Sequence, residues 1–335
     1  MGFIEGSMSK YKSIEVRGIF RSPRHFSLWF LMQESGVLRQ VGIDKIHFDY
    51  CESSSGAEAA LFAGEIDFIS GNHISPYALI ARGFPIVSLA SPDNIMHARL
   101  VSRRPVAALA ELRGRRIGDV DVTGADGGYN HTRGNHMLYL RRAGVEPDEV
   151  EWVVLAETAA RDYGKKQLQA MLDERVDATF VMRTAEYEKH GFHVFAPPPL
   201  PMISGPTITS TLTKLKEIDR LGERLVKAMV LGIHFAKTKP AEAEHVLQDL
   251  NQRFPQWGGV KAERLARMPA KPYPDVIGIA NAYEIACMQY PEARDVDPIA
   301  LWDMRCLREL DNSGFIDALY KGWQGARREA RRASG

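Results

Sequence analysis

The pattern that most restricts the fold is a strand-like segment, a polar loop and a helix-like segment, repeated three times between residues 13 and 81. Alternating or β-branched residues favour a strand in each first segment, and the helices are introduced by Ser22, Ser53 and Ser75. Consecutive units of this kind build a parallel sheet with helices on both faces, so we predict a doubly wound α/β fold. The strands are predicted at residues 13–20, 43–50 and 66–69.

A second α/β unit is predicted after a fourth strand at residues 86–90. The proline-rich segment 197–201 is too stiff for a central strand and marks the return path. We expect residues 8–98 to form the first part of lobe 1, 99–200 to form lobe 2, and 201–335 to supply a return strand and C-terminal helices packing on lobe 1. In lobe 2 the predicted strands are 116–120, 150–155 and 178–182, and the predicted helices are 131–142, 165–173 and 184–190.

Charge and composition argue against nucleic acid as a partner. The chain has 43 Lys and Arg against 42 Asp and Glu, so it carries no strong positive field. Two Arg pairs near the C terminus, ending at Arg332, fit a solvated helix end better than a binding patch. The apolar segment 26–32 is too short to cross a bilayer, so no membrane span is predicted.

The cysteines and the N terminus favour a reducing compartment. Cys51, Cys287 and Cys306 are odd in number and far apart, which argues against a disulfide framework and against a four-cysteine zinc site. No apolar segment of signal-peptide length occurs in the first 25 residues. Residues 1–7 have the character of an expression leader, and a chain starting at Met8 is expected in the cytoplasm; a signal peptide removed upstream would make it periplasmic.

A longer pattern resembles a known fold family. It consists of QESGVL (33–38), VGI (41–43), AGEIDF (63–68), ARGFPIV (81–87), LRGRRIG (112–118) and DAT (177–179). In this order the segments are similar to the type II periplasmic-binding-protein fold, in the branch with sulfonate-, taurine- and thiamine-precursor-binding proteins. The resemblance implies a two-lobed α/β fold, each lobe a doubly wound sheet, with a helical C-terminal region. It restricts function less, because one fold hosts many functions.

A narrower resemblance is to the 4,5-dihydroxyphthalate-decarboxylase-like enzymes. It rests on MH (96–97), TRG (132–134), AGV (143–145) and EVEW (149–152). Two other catalytic groups of this fold are not matched. The Cys-rich stretch of thiamine-pyrimidine synthases is absent, and Ser22 and Pro23 occupy the loop where sulfinate desulfinases carry their nucleophilic cysteine.

Candidate site residues lie on loops and helix starts at the carboxyl ends of predicted strands, where open α/β sheets bind ligands. Imidazoles there suit proton transfer near neutral pH. The predicted catalytic residues are His97, His131, His25 and His73. The predicted substrate-binding residues are Arg24, Ser54, Ser55, Asn72, Tyr129, Arg133 and Arg183. The histidines and Tyr129 and Arg133 are expected to meet across one inter-lobe cleft.

Each of these residues has an alternative interpretation. A histidine can be a hydrogen-bonded structural residue, and Arg24 or Arg133 can be surface charge instead of a bidentate carboxylate anchor. Asn72 and Ser55 can cap helices instead of binding a ligand.

No cofactor or metal is predicted. His131 and His136 are five apart, which is off the spacing of a helical ligand pair. The segment 124–128 contains three glycines and an aspartate, lacks the Lys-Ser/Thr ending of a phosphate loop and does not fit a dinucleotide fingerprint.

Two functions remain open at this stage. The first is a cytoplasmic decarboxylase or lyase acting on a small, aromatic carboxylate, with Arg24 and Arg133 as anchors and His97 or His131 delivering a proton. The second is a solute-binding protein of an ABC transporter for a small organic anion of sulfonate, carboxylate or thiamine-precursor type, with a permease as its partner. A cytoplasmic ligand sensor is a third possibility, although no DNA-binding segment is recognised.

Overall fold

The computed structural model describes residues 12–123, 131–157 and 162–323. The strands are β1 (Ile14–Phe20), β2 (Ile43–Tyr50), β3 (Phe68–Ser70), β4 (Ile86–Ser88), β5 (Asp93–Met96), β6 (Leu100–Ser102), β7 (Arg116–Val120), β8 (Glu151–Ala156), β9 (Ala178–Phe180), β10 (His193–Phe195), β11 (Leu200–Ser204) and β12 (Ile208–Thr211). The helices with described bounds are α1 (Pro23–Glu34), α2 (Val37–Gln40), α3 (Ser54–Phe62), α4 (Pro76–Ala81), α5 (His131–Arg142), α6 (Tyr163–Leu172), α7 (Ala185–Lys189), α8 (Leu212–Glu217), α9 (Leu221–Thr238), α10 (Pro240–Arg253), α11 (Ala262–Ala266), α12 (Val276–Gln289) and α13 (Arg305–Asn312).

The chain divides into two compact units. Unit 1 comprises Met1–Asn94, Ile203–Asp275 and Asp295–Gly335, and unit 2 comprises Ile95–Met202 and Val276–Arg294. The chain therefore leaves unit 1 and returns to it twice.

Unit 1 contains a five-stranded sheet in the order β2-β1-β3-β12-β4. β1 pairs in parallel with β2 and β3, whereas β12 runs antiparallel to β3 and β4. Adjacent residues of one strand enter different cores: Phe68 packs with α1 and α9, and Ile69 packs with residues of α3 and α4. Both faces of this sheet are thus covered by helices, as the sequence pattern predicts.

Unit 2 repeats this arrangement with a second five-stranded sheet, in the order β10-β6-β9-β7-β8. β7 pairs in parallel with β8 and β9, and β6 runs antiparallel to β9 and β10. Leu100 packs with α5 on one face, and the neighbouring Val101 packs with α6 and α7 on the other. Read from the opposite end, the order matches that of unit 1, so β7 holds the position that β1 holds in unit 1.

The helix α12 corrects the predicted domain arrangement. The sequence predicts that every helix after residue 201 packs on lobe 1, but α12 belongs to unit 2. Its Asn281 donates to the carbonyl of Pro201 at 2.6 Å and accepts from Arg142 on α5 at 2.7 Å. Glu284, one turn later, forms ion pairs with Arg142 and, at 2.9 Å, with Arg141. These polar contacts, which join residues far apart in sequence, explain why local patterning missed the assignment.

Three short strands, β5, β10 and β11, were not predicted from the sequence pattern. β11 contains Pro201 and overlaps the proline-rich segment 197–201 that the sequence suggests is a connection. It pairs with β5 in a separate two-stranded sheet. Proline is tolerated in such a marginal strand because it removes no hydrogen bond from a central ladder.

A completely buried arginine fixes the residues just before β1 to the helical part of unit 1. Arg224 on α9 has no exposed surface. Its Nη1 donates to the carbonyl oxygens of Lys12 at 2.7 Å and Gly42 at 2.8 Å. Its Nε and Nη2 donate to the carbonyl and carboxylate of Asp219 at 2.9 and 2.7 Å. A single guanidinium therefore satisfies backbone groups from three separate segments.

No helix in the described part of the chain combines the length and the apolar character that a membrane span requires.

Candidate functional site

In unit 1 the polar groups concentrate where β1, β2 and β3 end, which we call the unit 1 carboxyl edge. Arg21 directly follows β1, and its guanidinium reaches residues after the other two strands. Its Nη1 donates to Ser54 Oγ at 2.5 Å and to Asn72 Oδ1 at 3.2 Å. Its Nε and Nη2 donate to the carbonyl oxygen of Glu52 at 3.1 and 2.5 Å. These four bonds fix the orientation of the guanidinium at the ends of the three strands.

The buried carboxylate of Glu58 holds Asn72, one of the partners of Arg21, in place. Glu58 on α3 is 8% exposed, and one of its oxygens accepts from Asn72 Nδ2 at 2.7 Å and from Ser75 Oγ at 2.5 Å. Burial raises the pKa of Glu58, while the bonds from Ser75 and Asn72 and the charge of Arg21 act in the opposite direction. Asn72 is itself completely buried. It therefore connects the carboxylate to Arg21 and does not cap a helix.

His25 lies at the same edge, in the first turn of α1. Its Nδ1 is 3.1 Å from the carbonyl oxygen of Ser70, at the end of β3. Burial, together with the charges of Arg21, Arg264 and Arg24, lowers the pKa of His25 to about 4, against the opposing effect of the Ser70 bond. At neutral pH the ring is uncharged. Such a group serves better as a hydrogen-bonding residue than as a cation for an anionic ligand.

In unit 2 the polar groups concentrate where β7 and β9 end, which we call the unit 2 carboxyl edge. The side chain of Asp119 on β7 has no exposed surface, and one oxygen lies 2.7 Å from Nδ1 of His136 on α5. Its other oxygen accepts from the backbone N of Val120 at 2.7 Å and from the hydroxyl of Tyr163 at 3.3 Å. Burial and the nearby Asp119 carboxylate raise the pKa of the Tyr163 hydroxyl, which keeps it protonated and donating.

Arg133 lies one turn before His136 on α5 and is also fixed to β7. Its Nη1 donates to the carbonyl oxygen of Val120, the last residue of that strand, at 3.1 Å. Its guanidinium carbon is 3.5 Å from the centre of the Trp152 ring. Stacking and the carbonyl bond hold a positive charge at this edge, although only 6% of the residue is exposed.

The unit 1 candidates fall at the unit 1 carboxyl edge, but with different exposure. Ser54 and Asn72 are buried and bonded to Arg21, whereas Arg24 and Ser55 are exposed. Ser55 Oγ is 2.9 Å from Ser53 Oγ, which in turn accepts from the backbone N of Gly56 and caps α3. His73 follows β3 and is partly buried.

The unit 2 candidates also fall at the carboxyl edge of their own sheet, with one outside the described residues. His131 and Arg133 begin α5, and Arg183 follows β9 and is exposed. His97 is exposed and precedes β6; because β6 is antiparallel to β9, this end lies at the carboxyl end of β9. Tyr129 lies outside the described residues. The expectation that the two sets meet in one cleft stays a prediction.

The candidate residues do not form a cluster with the composition of a metal site. Within the described ranges, no group of three or more His, Cys, Asp or Glu side chains could hold a metal ion. Apart from the buried carboxylates of Glu58 and Asp119, the two edges carry guanidinium, imidazole, hydroxyl and amide groups. Such groups bind oxyanions and polar organic molecules.

A comparison with known protein families identifies the family of the chain. The family described as "NMT1/THI5 like" matches residues 28–243. The chain belongs to this family. The matched segment includes Arg21's partners Ser54 and Asn72 as well as Asp119, Arg133 and His136. No curated protein sequence matches the chain.

Solved structures of similar fold include binding proteins and an enzyme. The structure assigned as periplasmic sulfonate-binding protein SsuA of a sulfonate ABC transporter from Methylobacillus flagellatus KT has a TM-score of 0.63 and 16% identity, and covers 91% of this chain and 97% of its own. The periplasmic aliphatic sulphonate binding protein SsuA from Escherichia coli has a TM-score of 0.56 and 16% identity, with 86% and 89% coverage. A DSZB mutant in complex with biphenyl-2-sulfinic acid has a TM-score of 0.55 and 16% identity, with 89% and 99% coverage.

These likenesses confirm the predicted fold class, a two-lobed type II periplasmic-binding-protein-like α/β fold with a helical C-terminal region. At this level of identity they show the fold alone. The enzyme and binding-protein neighbours demonstrate that this fold hosts both kinds of function.

Sequence reasoning missed four residues that organise the two edges: Arg21, Glu58, Asp119 and His136. Two of them carried a usable signal. Asp119 is a charged residue near the end of a short strand whose other residues after Arg116 are Ile, Gly and Val, and such a residue requires buried partners. His136 follows Arg133 at a spacing of three, which places both on one face of a helix. For Arg21 and Glu58 the partners lie on other elements, so no local pattern identifies them.

Proposed function

We propose that this protein binds a small organic anion of the sulfonate or carboxylate class. The observation that carries the proposal is the placement of Arg21, which extends from the end of β1 and is oriented by bonds to Ser54, Asn72 and the carbonyl oxygen of Glu52. A guanidinium held in this way presents a fixed hydrogen-bonding geometry to an oxyanion and loses little side-chain entropy on binding. Its position at the carboxyl end of parallel strands is where ligands bind in open α/β sheets.

Unit 2 supports the proposal with a second arginine at the equivalent strand. Arg133 is bonded to the last residue of β7, the strand that corresponds to β1. We propose that it also serves anion recognition, together with the exposed Arg183 and the earlier candidates Ser55 and Tyr129. The buried candidates Ser54 and Asn72 then act by positioning Arg21. The neighbouring structures are consistent with this ligand class, because two of them are sulfonate-binding proteins.

The role that best fits such binding is that of a solute-binding component of an ABC transporter, with a permease as partner. In this role the protein acts outside the cytoplasm, contrary to the cytoplasmic location expected from the sequence. Fractionating cells that express the natural gene tests this directly. Recovery of the protein only with cytoplasmic markers would argue against the transport role but leave anion binding intact.

An enzyme on the same scaffold is the second candidate. It is favoured by the bond between His136 and Asp119, a pairing that orients an imidazole for proton transfer. Neither the family match nor the three solved structures supports the decarboxylase or lyase reaction expected from the sequence. The predicted catalytic roles of His97, His131, His25 and His73 therefore remain hypotheses.

Isothermal titration calorimetry with matched anions tests the proposed function. The ligands are ethanesulfonate, 2-hydroxyethanesulfonate, benzoate and 3-hydroxybenzoate, with glucose and an alkylammonium cation as controls. We expect saturable 1:1 binding of at least one anion and none of the controls. Chromatography of each mixture after incubation separates the two candidates, since a binding protein returns the anion unchanged and an enzyme converts it. Absence of binding by all four anions would contradict the proposal.

A further inference from the structure

The unit 2 carboxyl edge holds an imidazole whose orientation is fixed by a buried carboxylate. His136 Nδ1 is 2.7 Å from Asp119 Oδ2, and the Asp119 side chain has no exposed surface. A carboxylate in this position accepts the proton that Nδ1 carries. The ring is therefore held as the Nδ1–H tautomer, which leaves the lone pair of Nε2 as an acceptor.

Two further contacts restrain the pair. The His136 ring stacks on Phe180 with 4.4 Å between ring centres and 12° between planes. The Tyr163 hydroxyl and the backbone N of Val120 hold the second carboxylate oxygen of Asp119. Neither the ring nor the carboxylate can rotate without breaking these contacts, so the direction of the Nε2 lone pair is set before any ligand arrives.

The far side of the imidazole is accessible. The His136 side chain is 15% exposed, although its partner Asp119 is buried. Across residues 12–123, 131–157 and 162–323, Nδ1 of His136 has a partner and Nε2 has none. A role in neutralising Asp119 would not require Nε2 to be accessible. The geometry therefore suits Nε2 to accept a hydrogen bond from a donor outside the protein.

We propose that Nε2 of His136 accepts a hydrogen bond from a hydroxyl group that the bound organic anion carries near its charged group. Arg133 lies one helical turn earlier on the same face of α5, about 5–6 Å away between β-carbons. An anionic group at Arg133 and a hydroxyl oxygen three or four bonds from the sulfur or carbon of that group match this spacing. The inference rests on the proposed function and names its ligand class: hydroxylated sulfonates or carboxylates. Asp119 is the positioning residue.

The first test is nitrogen-15 NMR of the labelled full chain, with His136→Asn to assign the ring signals. At pH 7.5 we expect a protonated Nδ1 and an unprotonated Nε2. Asp119→Asn should remove this preference between the two tautomers. A wild-type ring that is protonated on Nε2 has no acceptor to offer and would overturn the inference regardless of ligand.

The second test compares the matched anions by calorimetry. We expect 2-hydroxyethanesulfonate to bind more tightly than ethanesulfonate, or 3-hydroxybenzoate more tightly than benzoate, by about tenfold, the value of one hydrogen bond. In His136→Asn the amide keeps a donor for Asp119 but lacks the Nε2 acceptor. This variant should lose the preference while its midpoint of thermal unfolding stays close to that of the wild type.

The outcomes separate the two proposals. Equal binding of both members of each pair overturns the role of His136 and leaves anion binding in place. A preference for the hydroxylated member that survives in His136→Asn also overturns it. Absence of binding by all four anions overturns the proposed function, and the inference built on it fails as well.

Discussion

The imidazole of His25 lies so close to Gly71 that a Cβ atom on Gly71 would stand 2.1 Å from Nδ1 and Cε1 of the ring. Gly71 also has a φ of +95°, which side-chain-bearing residues rarely adopt. The glycine thus provides the space in which His25 reaches the Ser70 carbonyl oxygen at 3.1 Å. Glycine at this position is a requirement of the site and not only of the turn.

Replacing Gly71 by Ala should lower the free energy of unfolding by about 2–4 kcal/mol, because backbone strain adds to displacement of the His25 ring. Urea denaturation followed by circular dichroism measures the change. The control is Gly164→Ala in α6, where nothing lies within 4 Å of an added Cβ atom. That variant should be as stable as the wild type or up to ~1 kcal/mol more stable. Equal effects of the two substitutions would show that His25 does not occupy the space over Gly71.

His25 should make the protein sensitive to mild acid. Its pKa of about 4 lies below the ordinary value of 6.5, so between these pH values the unfolded chain binds a proton that the folded chain does not. Stability is therefore unaffected above pH 6.5 and falls as the pH drops from 6.5 towards 4. The loss reaches at most about 3 kcal/mol.

The His25 contribution can be isolated by comparing His25→Gln with wild type in urea titrations at pH 7.5, 5.5 and 4.5. The variant should lose less stability than the wild type over this interval. His245, which is exposed on α10, provides the control substitution His245→Gln. If the His25 and His245 variants respond to pH identically, burial of His25 is not the cause of the acid sensitivity.

Loss of Arg224 should be among the most destabilising single changes in unit 1. Arg224→Met retains much of the volume but removes the guanidinium donor from the carbonyl oxygens of Lys12, Val41 and Gly42. We expect a loss of about 3–5 kcal/mol in unfolding free energy, measured in urea. Arg308→Met, on the exposed surface of α13, should change it by no more than about 0.5 kcal/mol. A mild effect at Arg224 would mean that water replaces the guanidinium.

Substitution of Arg21 should weaken anion binding more than it lowers the stability of the protein. Arg21→Met removes the charge, and for an anion that binds the wild type we expect a 10- to 100-fold weaker affinity by calorimetry, equivalent to about 1.5–3 kcal/mol. Arg21→Lys keeps the charge but not the planar fork, and should fall between the two.

The matched control is Arg104→Met. Arg104 is exposed and follows the antiparallel strand β6, so it lies at the edge of the unit 2 sheet opposite to the carboxyl ends of β7 and β9. Its loss should leave affinity unchanged. Comparable weakening by both substitutions would indicate a general effect of net charge and would remove Arg21 from the site.

The parts of the fold that could be predicted from sequence are those with a local signal. β1 and β7 are short apolar or alternating segments bounded by Gly or polar residues, and their limits differ from the predictions by no more than one residue. β5 and β11 carry no such pattern, because they are defined by pairing with each other. Likewise the sequence identifies α12 as helical. Its packing on α5, however, depends on contacts between residues more than a hundred positions apart in sequence.

In the candidate site, too, local sequence signals could be predicted and long-range contacts could not. Sequence pattern predicted that polar residues such as Ser54 and Asn72 would follow strand ends, and the structure places them there. It favoured Arg24 over Arg21, whereas Arg21 is the one bonded to them, because a difference of three residues at the start of a helix decides which side chain faces the sheet. The partnership of Asp119 and His136 depends on how α5 packs against β7, and no spacing rule reveals it.

The position of β12 has a consequence for synthesis of the chain. β12 lies between β3 and β4 in unit 1, yet all five strands of the unit 2 sheet precede it in the chain. As the nascent polypeptide leaves the ribosome, β3 and β4 each present an open hydrogen-bonding edge until the whole of that second sheet has emerged. The sheet of unit 1 is thus the first whose strands are synthesised and the last to be completed. During that interval its unpaired strand edges are the part of the molecule most exposed to mispairing and to capture by chaperones.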